Sequence, residues 1–254
     1  MKREPNREQE PGTRNTEPGT GRVLEIRGLV KDYRGLRPLR IARLDVRQGQ
    51  TLALLGFDGM TAELFVNLVT GAVVPDAGDV RVFGESTADV ADPDAWLASL
   101  DRFGILSERA VLLEALTAAQ NVAVPLTLEL DPLPPAIRAR VEALGAEAGL
   151  DAAHLPRPVS AIPPAARQRV QLARAVALNP RLLLAEHPNA SLPPEDAAAF
   201  AADFAALAAR RGLAAVVLTA DRAFAAAAAR EVLTLNPASG DLAAPSGWRR
   251  LFGG

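Results

Sequence analysis

The sequence predicts an α/β fold in which a mainly parallel sheet is flanked by helices. Short apolar runs that are each followed by a loop alternate with segments of helical periodicity, and this alternation is typical of parallel sheets. The run Thr51–Leu55 ends at Gly56, as a buried strand does when it enters a tight loop before a helix. Ligands on such sheets lie beyond the carboxyl ends of the strands, where we expect Gly56, Glu186 and Ala220.

The predicted elements follow one another in this alternating order. Strands are predicted at Val23–Leu29, Arg40–Val46, Thr51–Leu55, Asp79–Phe83, Arg181–Ala185 and Ala214–Thr219. Helices are predicted after the Gly56 loop through Gly71, and over Pro135–Leu150, Ala165–Leu178, Pro194–Arg211 and Arg222–Ala229. A hairpin is predicted to close the fold, with Val232–Leu235 and Asp241–Ala243 joined by the turn Asn236–Gly240.

Composition narrows the functional classes. The 254 residues are 49% hydrophobic and 23% charged, which is typical of a globular chain with a sizeable core. The net charge of −2 argues against a basic nucleic-acid binder. The absence of cysteine excludes disulfides and thiolate metal sites, and it is consistent with the cytoplasm. We expect neither a membrane-spanning segment nor a secretory signal.

Both ends of the chain read as tails around one folded domain, which we place at residues 23–245. Residues 1–22 repeat Glu-Pro-Gly-Thr and are rich in charge, proline and glycine, so disorder is predicted for them. Residues 246–254 form a C-terminal tail that places Trp248 and Phe252 beside Arg249 and Arg250. We expect a frayed end that packs partly on the domain, with a membrane-surface or partner contact as the alternative.

Two segments carry a family resemblance. Leu54–Gly71, with the sequence LLGFDGMTAELFVNLVTG, is similar to a Walker A strand, loop and helix. Leu182–Pro194, with the sequence LLLAEHPNASLPP, is similar to a Walker B strand and D-loop. Because further motifs occur in order between them, the chain from Val23 to about Ala243 resembles ATP-binding subunits of ABC transporters, especially the short type that serves lipid or lipoprotein export. The resemblance implies a P-loop NTPase-like fold with an N-terminal antiparallel β-subdomain and a helical lobe at about residues 108–178.

The resemblance implies a phosphate-binding loop in which the phosphate-gripping lysine is replaced by Ala62. The only lysines are Lys2 and Lys31, so we expect no nearby lysine to replace it. Its loss removes a charge-assisted contact of about 1.5–3 kcal/mol. Glu63 adds a carboxylate whose repulsion of a phosphate at ~4 Å is at most about 4 kcal/mol. The Walker A frame runs from Gly56 to Glu63 and includes Phe57 and Met60. Its candidate nucleotide-binding positions are Gly56, Asp58, Gly59, Thr61, Ala62 and Glu63.

ATP binding is therefore expected to be weak or absent, although Mg²⁺ bridging Glu63 and a phosphate would reduce the penalty. The same residues also support a structural interpretation. Thr61 is a good N-cap, and Glu63 in the first helical turn would complement the helix dipole. We therefore hypothesise a loop whose helix is capped by its own side chains.

The other motif positions also differ from the family's residues. Glu186 replaces the magnesium-binding aspartate, His187 the catalytic base and Ala220 the switch histidine, while Glu108 stands at the glutamine position. No catalytic residue is predicted, and Glu63 and Glu186 are the candidate metal ligands. His187 could act as a base near neutral pH, but we expect an ordinary surface or loop residue. Tyr33 stands where the family stacks a ring on adenine, although packing explains it equally well. The signature motif falls on Ile162, Pro163, Pro164, Ala165 and Ala166, and the D-loop aspartate on Pro193.

Three functions remain open. The residues at the phosphate-binding and catalytic positions differ from those of the family, whereas the order of its strands and helices is retained. This combination favours a non-hydrolysing ABC subunit that serves as scaffold or regulator for a membrane permease, for an active homologous ATPase, or for both. It would be cytoplasmic and peripheral to the inner face of the cell membrane, as a homodimer or heterodimer. The first alternative is a divergent but active ATPase that uses Glu186, His187 and a metal ion. The second is a free-standing sensor of a nucleotide or another ligand.

Overall fold

The computed structural model describes residues 21–89 and 92–245. The predicted tails lie outside the described residues, except for Gly21 and Arg22 at the end of the N-terminal one. The C-terminal tail, residues 246–254, includes Trp248, Arg249, Arg250, Leu251 and Phe252. Within those ranges no helix combines the length and the apolar character needed to cross a membrane.

The described residues contain ten strands, which form two sheets. They are β1 (Arg22–Lys31), β2 (Leu39–Arg47), β3 (Thr51–Leu55), β4 (Ala77–Val82), β5 (Glu85–Ser86), β6 (Phe103–Leu106), β7 (Leu182–Glu186), β8 (Ala214–Leu218), β9 (Glu231–Leu235) and β10 (Leu242–Ala243). The first sheet is antiparallel, in the order β2-β1-β4-β5. The second has the order β10-β9-β3-β8-β7-β6 and is parallel except for the β9–β10 hairpin. The predicted α/β fold is confirmed.

Seven α-helices surround the sheets. They are α1 (Gly59–Val69), α2 (Pro93–Ser99), α3 (Ala118–Ala123), α4 (Pro135–Glu147), α5 (Pro164–Ala175), α6 (Pro194–Arg211) and α7 (Arg222–Ala228), in the described ranges. Single 3₁₀ turns occur at Thr87–Asp89, Leu100–Arg102, Ala152–His154 and Val159–Ala161.

The central strands are apolar throughout because both faces of the parallel sheet are covered. In β3, Leu52 and Leu54 face a core shared with α1 and the antiparallel sheet. Ala53 and Leu55 face a second core shared with the helices of the lobe and with α6. Continuous apolar runs are what a two-sided burial requires, and they mark the strands that carry the candidate site.

The predicted elements are all present with small differences at their ends, and four short strands and helices of the described residues were not predicted. The helix predicted through Gly71 ends at Val69, and the one predicted over Ala165–Leu178 is α5, which ends at Ala175. These elements are β5, β6, α2 and α3. In β6 the run is short and Gly104 packs closely on α5, since a Cβ there would lie 2.6 Å from the carbonyl oxygen of Ala175. Strand β6 is therefore stabilised by contacts with segments that are distant in the sequence. The hydrophobic pattern of its own residues does not show these contacts.

Candidate functional site

Three loops meet at one edge of the parallel sheet. β3, β8 and β7 are neighbours, so the loops that follow them lie side by side. Gly56 follows β3, Ala220 follows β8, and Glu186 is the last residue of β7. These three residues therefore lie at the carboxyl ends of the strands, as predicted.

The helix after β3 is capped by Asp58. The Asp58 Oδ1 atom accepts a 2.8 Å hydrogen bond from the N–H of Thr61, and the Asp58 N–H donates a 2.9 Å bond to the Thr61 hydroxyl. The two residues thus form a reciprocal capping box at the start of α1. The prediction that Thr61 is the N-cap is wrong, because the helix begins at Gly59 and Asp58 is the residue with an extended backbone. The wider hypothesis of a helix capped by its own side chains agrees with this arrangement.

Ala62 and Glu63 follow the cap and point in different directions. Ala62 is completely buried in the core between α1 and the antiparallel sheet. Glu63 lies beyond the first turn of α1, so the prediction that it complements the helix dipole in that turn is wrong. Its carboxylate is instead paired with a cation that the sequence did not suggest.

That cation is Arg109. Its Nη1 atom lies 2.5 Å from the Glu63 Oε1 atom, and its Nη2 atom lies 2.5 Å from the Glu186 Oε1 atom. The Glu186 side chain is only 9% exposed, whereas those of Glu63 and Arg109 are about half exposed. One guanidinium therefore bridges the two carboxylates predicted as metal ligands and provides the positive charge that no lysine supplies.

Burial raises the pKa of Glu186 above its usual value. The hydrogen bond and charge of Arg109 act in the opposite direction, and the nearby Glu63 raises the pKa further. Without Arg109, the ionised Glu186 would be a buried carboxylate beside a second carboxylate. The guanidinium is thus the main group that opposes this rise in the pKa of Glu186.

The half-buried Arg174 and the buried Asn121 fix the backbone around Arg109. Arg174 on α5 donates hydrogen bonds to the carbonyl oxygens of Ala110 and Val111, the latter at 2.9 Å. The fully buried Asn121 on α3 accepts a bond from the N–H of Leu113 at 2.8 Å and donates to its carbonyl oxygen at 3.0 Å. The loop that presents Arg109 is therefore held from both the α5 side and the α3 side.

Glu108, at the glutamine position of the family, does not join this ion pair. It is exposed, and it lines a groove with Pro164 and Gln168 of α5. Arg109, the next residue, is the one that reaches Glu63 and Glu186.

His187 has an unusual conformation and a covered nitrogen. Its φ of 42° lies in the left-handed region, a strained conformation for a non-glycine residue. Its backbone N–H donates to the carbonyl oxygen of Leu218 at 2.8 Å, which ties the turn after β7 to the end of β8. The Nε2 atom is buried and has no hydrogen-bond partner among the described residues. Solvent therefore does not reach this nitrogen.

A polar network joins the turns after β7 and β8. The Thr219 hydroxyl donates to the Asn189 Oδ1 atom at 3.0 Å, and the Asn189 side chain donates to the Asp221 Oδ2 atom at 3.1 Å. Asp221 also caps α7. Ala220, between Thr219 and Asp221, is exposed and has only a methyl group, so it adds no hydrogen-bonding group.

The signature segment lies at the start of α5. Pro163 occupies the N-cap position and Pro164 the first helical position, and neither residue has an N–H to donate. The side chains of Ile162, Ala165 and Ala166 are buried. Pro193 is exposed just before α6. No hydrogen bond or ion pair in the described parts of the chain joins the signature segment to Asp58, Glu63 or Glu186.

Tyr33 is half-buried and packs against the core formed by the antiparallel sheet and α1. Its ring lies against the backbone of Gly35, where an added Cβ would approach the ring to 2.4 Å. The ring therefore already has a packing partner within its own loop.

Arg109 is the functional residue that sequence reasoning missed. An available signal was its position directly after Glu108, at the start of the segment that resembles the family's glutamine loop. A second was the excess of carboxylates at the site, since Glu63 and Glu186 together require a counter-charge if both are buried or close.

These residues do not fit a triphosphate with its magnesium ion. The position of the lysine is a buried methyl group, and both candidate metal ligands are already paired with Arg109. In addition, no group of three or more His, Asp or Glu side chains within residues 21–89 and 92–245 has an arrangement suited to a metal ion.

Comparison with known proteins gives the family. The sequence model of the ABC transporter family matches residues 39–190, more than half of the chain. The chain is 31% identical over 210 residues to the lipoprotein-releasing system ATP-binding protein LolD of Chromohalobacter salexigens, covering 80% of this chain and 87% of the relative. It is 33% identical over 208 residues to LolD of Alcanivorax borkumensis, covering 80% and 90%.

The fold agrees with this relationship. The dimeric ATP-binding cassette MJ0796, solved in a post-hydrolysis state with ADP and phosphate, superposes with a TM-score of 0.70 at 22% identity, covering 86% of this chain and 96% of the cassette. The chain therefore belongs to the ABC transporter family, as an ATP-binding subunit similar to LolD.

Proposed function

We propose that this subunit does not hydrolyse ATP and acts as a scaffold or regulatory partner in an ABC transport complex. Its partners would be a membrane permease, a homologous active ATPase subunit, or both, at the inner face of the cell membrane. The names of its LolD relatives support lipoprotein release as the transport process. The partner cassette would be a second copy or a homologue.

The bridge formed by Arg109 carries this proposal. A magnesium ion needs free carboxylate oxygens, but the paired oxygens of Glu63 and Glu186 each lie 2.5 Å from the guanidinium. A triphosphate would have to displace Arg109 and then face two uncompensated carboxylates. Displacement therefore costs two ion pairs, one of them to a buried carboxylate.

The groups needed to activate water give further support. A general base must be within hydrogen-bond reach of the water that it deprotonates. The Nε2 atom of His187 is buried and has no hydrogen-bond partner in residues 21–89 and 92–245, and Ala220 has no polar side-chain atom. Glu186 is held in its ion pair. We therefore assign no catalytic role to these residues.

Calorimetric titration with ATP, ADP and GTP, with and without Mg²⁺, tests the proposal together with a phosphate-release assay. We expect neither saturable heat at millimolar nucleotide nor phosphate release above the buffer blank. Phosphate release that His187→Ala abolishes would instead establish a divergent ATPase. Tight nucleotide binding without turnover, by a lone monomer, would establish a sensor.

The partner part of the proposal needs a separate experiment. The full chain, co-expressed with permease and ATPase subunits of the same transport system, is expected to co-purify with them in stoichiometric amount. Purification of the chain alone as a stable monomer from cells that contain those subunits would contradict the scaffold role.

A further inference from the structure

We propose that a cleft beside α2 binds a small organic amine that carries an apolar portion. The cleft lies between residues 69–71 at the end of α1, the β4–β5 hairpin and one face of α2, and we call it the Thr87 cleft. Its volume is about 490 Å³, which is suited to a small organic molecule. None of its lining residues belongs to the Arg109 bridge, so this inference does not depend on the proposed function.

The hydroxyl group of Thr87 is the first observation that points to a ligand. Thr87 lines the cleft and is only 7% exposed, yet its Oγ1 atom has no hydrogen-bond partner in residues 21–89 and 92–245. Buried hydroxyl groups normally have a partner, because an unpaired one costs free energy. An ammonium group can donate a hydrogen bond to this oxygen, which would remove that cost.

The end of α1 is the second observation, and it favours a cation. Val69, Thr70 and Gly71 line the cleft, and they lie at the C-terminal end of this 11-residue helix. Such an end carries a partial negative charge, which a basic side chain in the last turn offsets in many helices. The last turn of α1 contains no basic residue. An ammonium in the cleft would supply that positive charge.

Two exposed aspartates of the lining add to the negative potential. Within the described parts of the chain, neither Asp89 nor Asp92 forms an ion pair, although Asp92 accepts a hydrogen bond from the N–H of Asp94. The pKa of Arg81, which also lines the cleft, is raised above its usual value, first by Asp79 and further by Asp89. This rise agrees with a negative potential in the cleft.

The two arginines of the lining are already engaged. Arg81 pairs with Asp79 at 2.6 Å. The guanidinium of Arg102 lies 4.1 Å from the centre of the Phe83 ring and 3.5 Å from a carboxylate oxygen of Glu85. The lining contains three carboxylates and two guanidinium groups, which gives a formal charge of −1. These charges favour an amine over a carboxylate or a phosphate.

Apolar side chains provide a surface for the rest of the ligand. Val82 and Phe103 line the cleft, the former buried and the latter half-buried. On α2, the exposed Ala95 lines it as well. A hydrocarbon or aromatic group next to the ammonium would cover these side chains, so the ligand class is an amphipathic amine.

A ligand reaches the Thr87 oxygen when α2 moves outward, because solvent does not reach that oxygen. Helix α2 buries none of its own residues. Among the described residues, its hydrogen bond to α1 is the one from the indole N–H of Trp96 to the carbonyl oxygen of Thr70, at 2.9 Å. Since Trp96 lies at this contact, binding should change its fluorescence.

Fluorescence titration of the full chain tests the proposal. The chain has two tryptophans, so Trp248→Phe leaves Trp96 as the reporter. We expect phenethylamine, a cation at neutral pH, to change the Trp96 emission saturably. Its neutral analogue 2-phenylethanol should bind about tenfold more weakly, and the anion 3-phenylpropionate more weakly still. Calorimetric titration of the chain with both tryptophans should give the same order of affinity.

Thr87→Val is the decisive variant, because it keeps the shape of the side chain and removes the hydroxyl group. It should weaken phenethylamine about tenfold. Without the amine it should not lower the melting temperature, because the hydroxyl group that it removes has no partner. A role confined to the structure would leave the affinity for the amine unchanged.

Two further variants locate the charge effect. Asp89→Asn should weaken phenethylamine about threefold, since an exposed carboxylate contributes modestly to the binding of a cation. Asp101→Asn is the matched control at an exposed aspartate outside the lining, and it should leave the affinity unchanged. Thermal melts confirm that each variant is folded.

Equal affinities for the amine and the alcohol would overturn the proposal, since they would indicate an apolar cleft without a cation site. Absence of saturable binding in both titrations, or wild-type affinity of Thr87→Val for the amine, would also overturn it. These measurements need neither nucleotide nor transport subunits. ATP hydrolysis by the chain would therefore contradict the proposed function and leave the amine site standing, whereas failure of the amine to bind would leave the proposed function standing.

Discussion

Arg109 and Glu186 form a 2.5 Å ion pair in which the carboxylate side chain is 9% exposed and the guanidinium is 43% exposed. Removal of the cation leaves a carboxylate that water reaches poorly. Arg109→Met retains most of the aliphatic stem, so it isolates the loss of charge. We expect it to lower the free energy of unfolding by about 1–3 kcal/mol, measured by urea denaturation with an unchanged m-value.

A double-mutant cycle separates the two carboxylates. Glu63→Gln should cost at most about 1 kcal/mol, because its pair with Arg109 is solvent-exposed. Glu186→Gln combined with Arg109→Met should cost clearly less than the sum of the single changes. Additivity of the two within about 0.5 kcal/mol would show that the pair has no energetic coupling.

The Asp58 cap predicts a defined pH dependence. Hydrogen bonds from the Thr61 hydroxyl and backbone N–H lower the pKa of Asp58 below its usual 3.8. The stabilisation is thus fully present above that unfolded-state value and is lost as the pH falls through the lower folded-state pKa. Asp58→Ala should cost about 1 kcal/mol at pH 7, and the difference from the wild type should shrink below pH 3.8.

Asp58→Asn is the matched control for the cap. Asparagine also accepts the N–H of a helix start, so this variant should retain most of the stability at pH 7. Because it does not titrate, its own contribution should not change with acid. Urea midpoints at several pH values provide the measurement, and a constant difference between wild type and Asp58→Ala down to pH 2 would contradict the assignment.

Two glycines in one irregular strand pairing should respond very differently to alanine. Gly28 in β1 and Gly78 in β4 have φ values of 59° and 84°, where the β1–β4 register shifts. A Cβ at Gly28 meets nothing within 4 Å, whereas one at Gly78 would lie 2.3 Å from the carbonyl oxygen of Gly28. Gly28→Ala should therefore cost about 1–2 kcal/mol, from backbone strain alone. Gly78→Ala should cost more than about 3 kcal/mol or prevent folding, and equal thermal shifts would contradict this.

Arg174 should control the order of the Arg109 loop. Lysine has the same charge but not the planar fork that reaches the carbonyl oxygens of both Ala110 and Val111. Arg174→Lys should therefore cost about 1–2 kcal/mol and speed hydrogen exchange at residues 108–113. Arg140→Lys is the control, because Arg140 donates to the carbonyl oxygen of Ala177 elsewhere in the lobe. Unchanged exchange at 108–113 would exclude this role for Arg174.

The strands of the parallel sheet were predicted well because each one is marked by a run of apolar residues that are adjacent in the sequence. Runs such as Thr51–Leu55 and Leu182–Glu186 are buried on both faces and are apolar at every position but their ends. Short elements such as β6 and α3 were missed, since four to six residues show no clear period and depend on partners distant in the chain. The candidate site was likewise predictable only where neighbouring residues in the sequence indicate it. Its place at the strand ends was predictable, but the approach of Arg109 to Glu186, 77 residues away, is a tertiary contact.

The Arg109 bridge also determines how the site responds to its surroundings. A diffusible cation or nucleotide fills a site in proportion to its concentration, whereas a side chain on the same chain is present at a fixed, high effective concentration. We therefore expect the occupancy of this site to stay constant when cellular ATP, ADP or magnesium levels change. In a transport complex, such a subunit would keep one conformation through each ATPase cycle of its partners. The rate and order of the conformational changes would then be set by the partners alone.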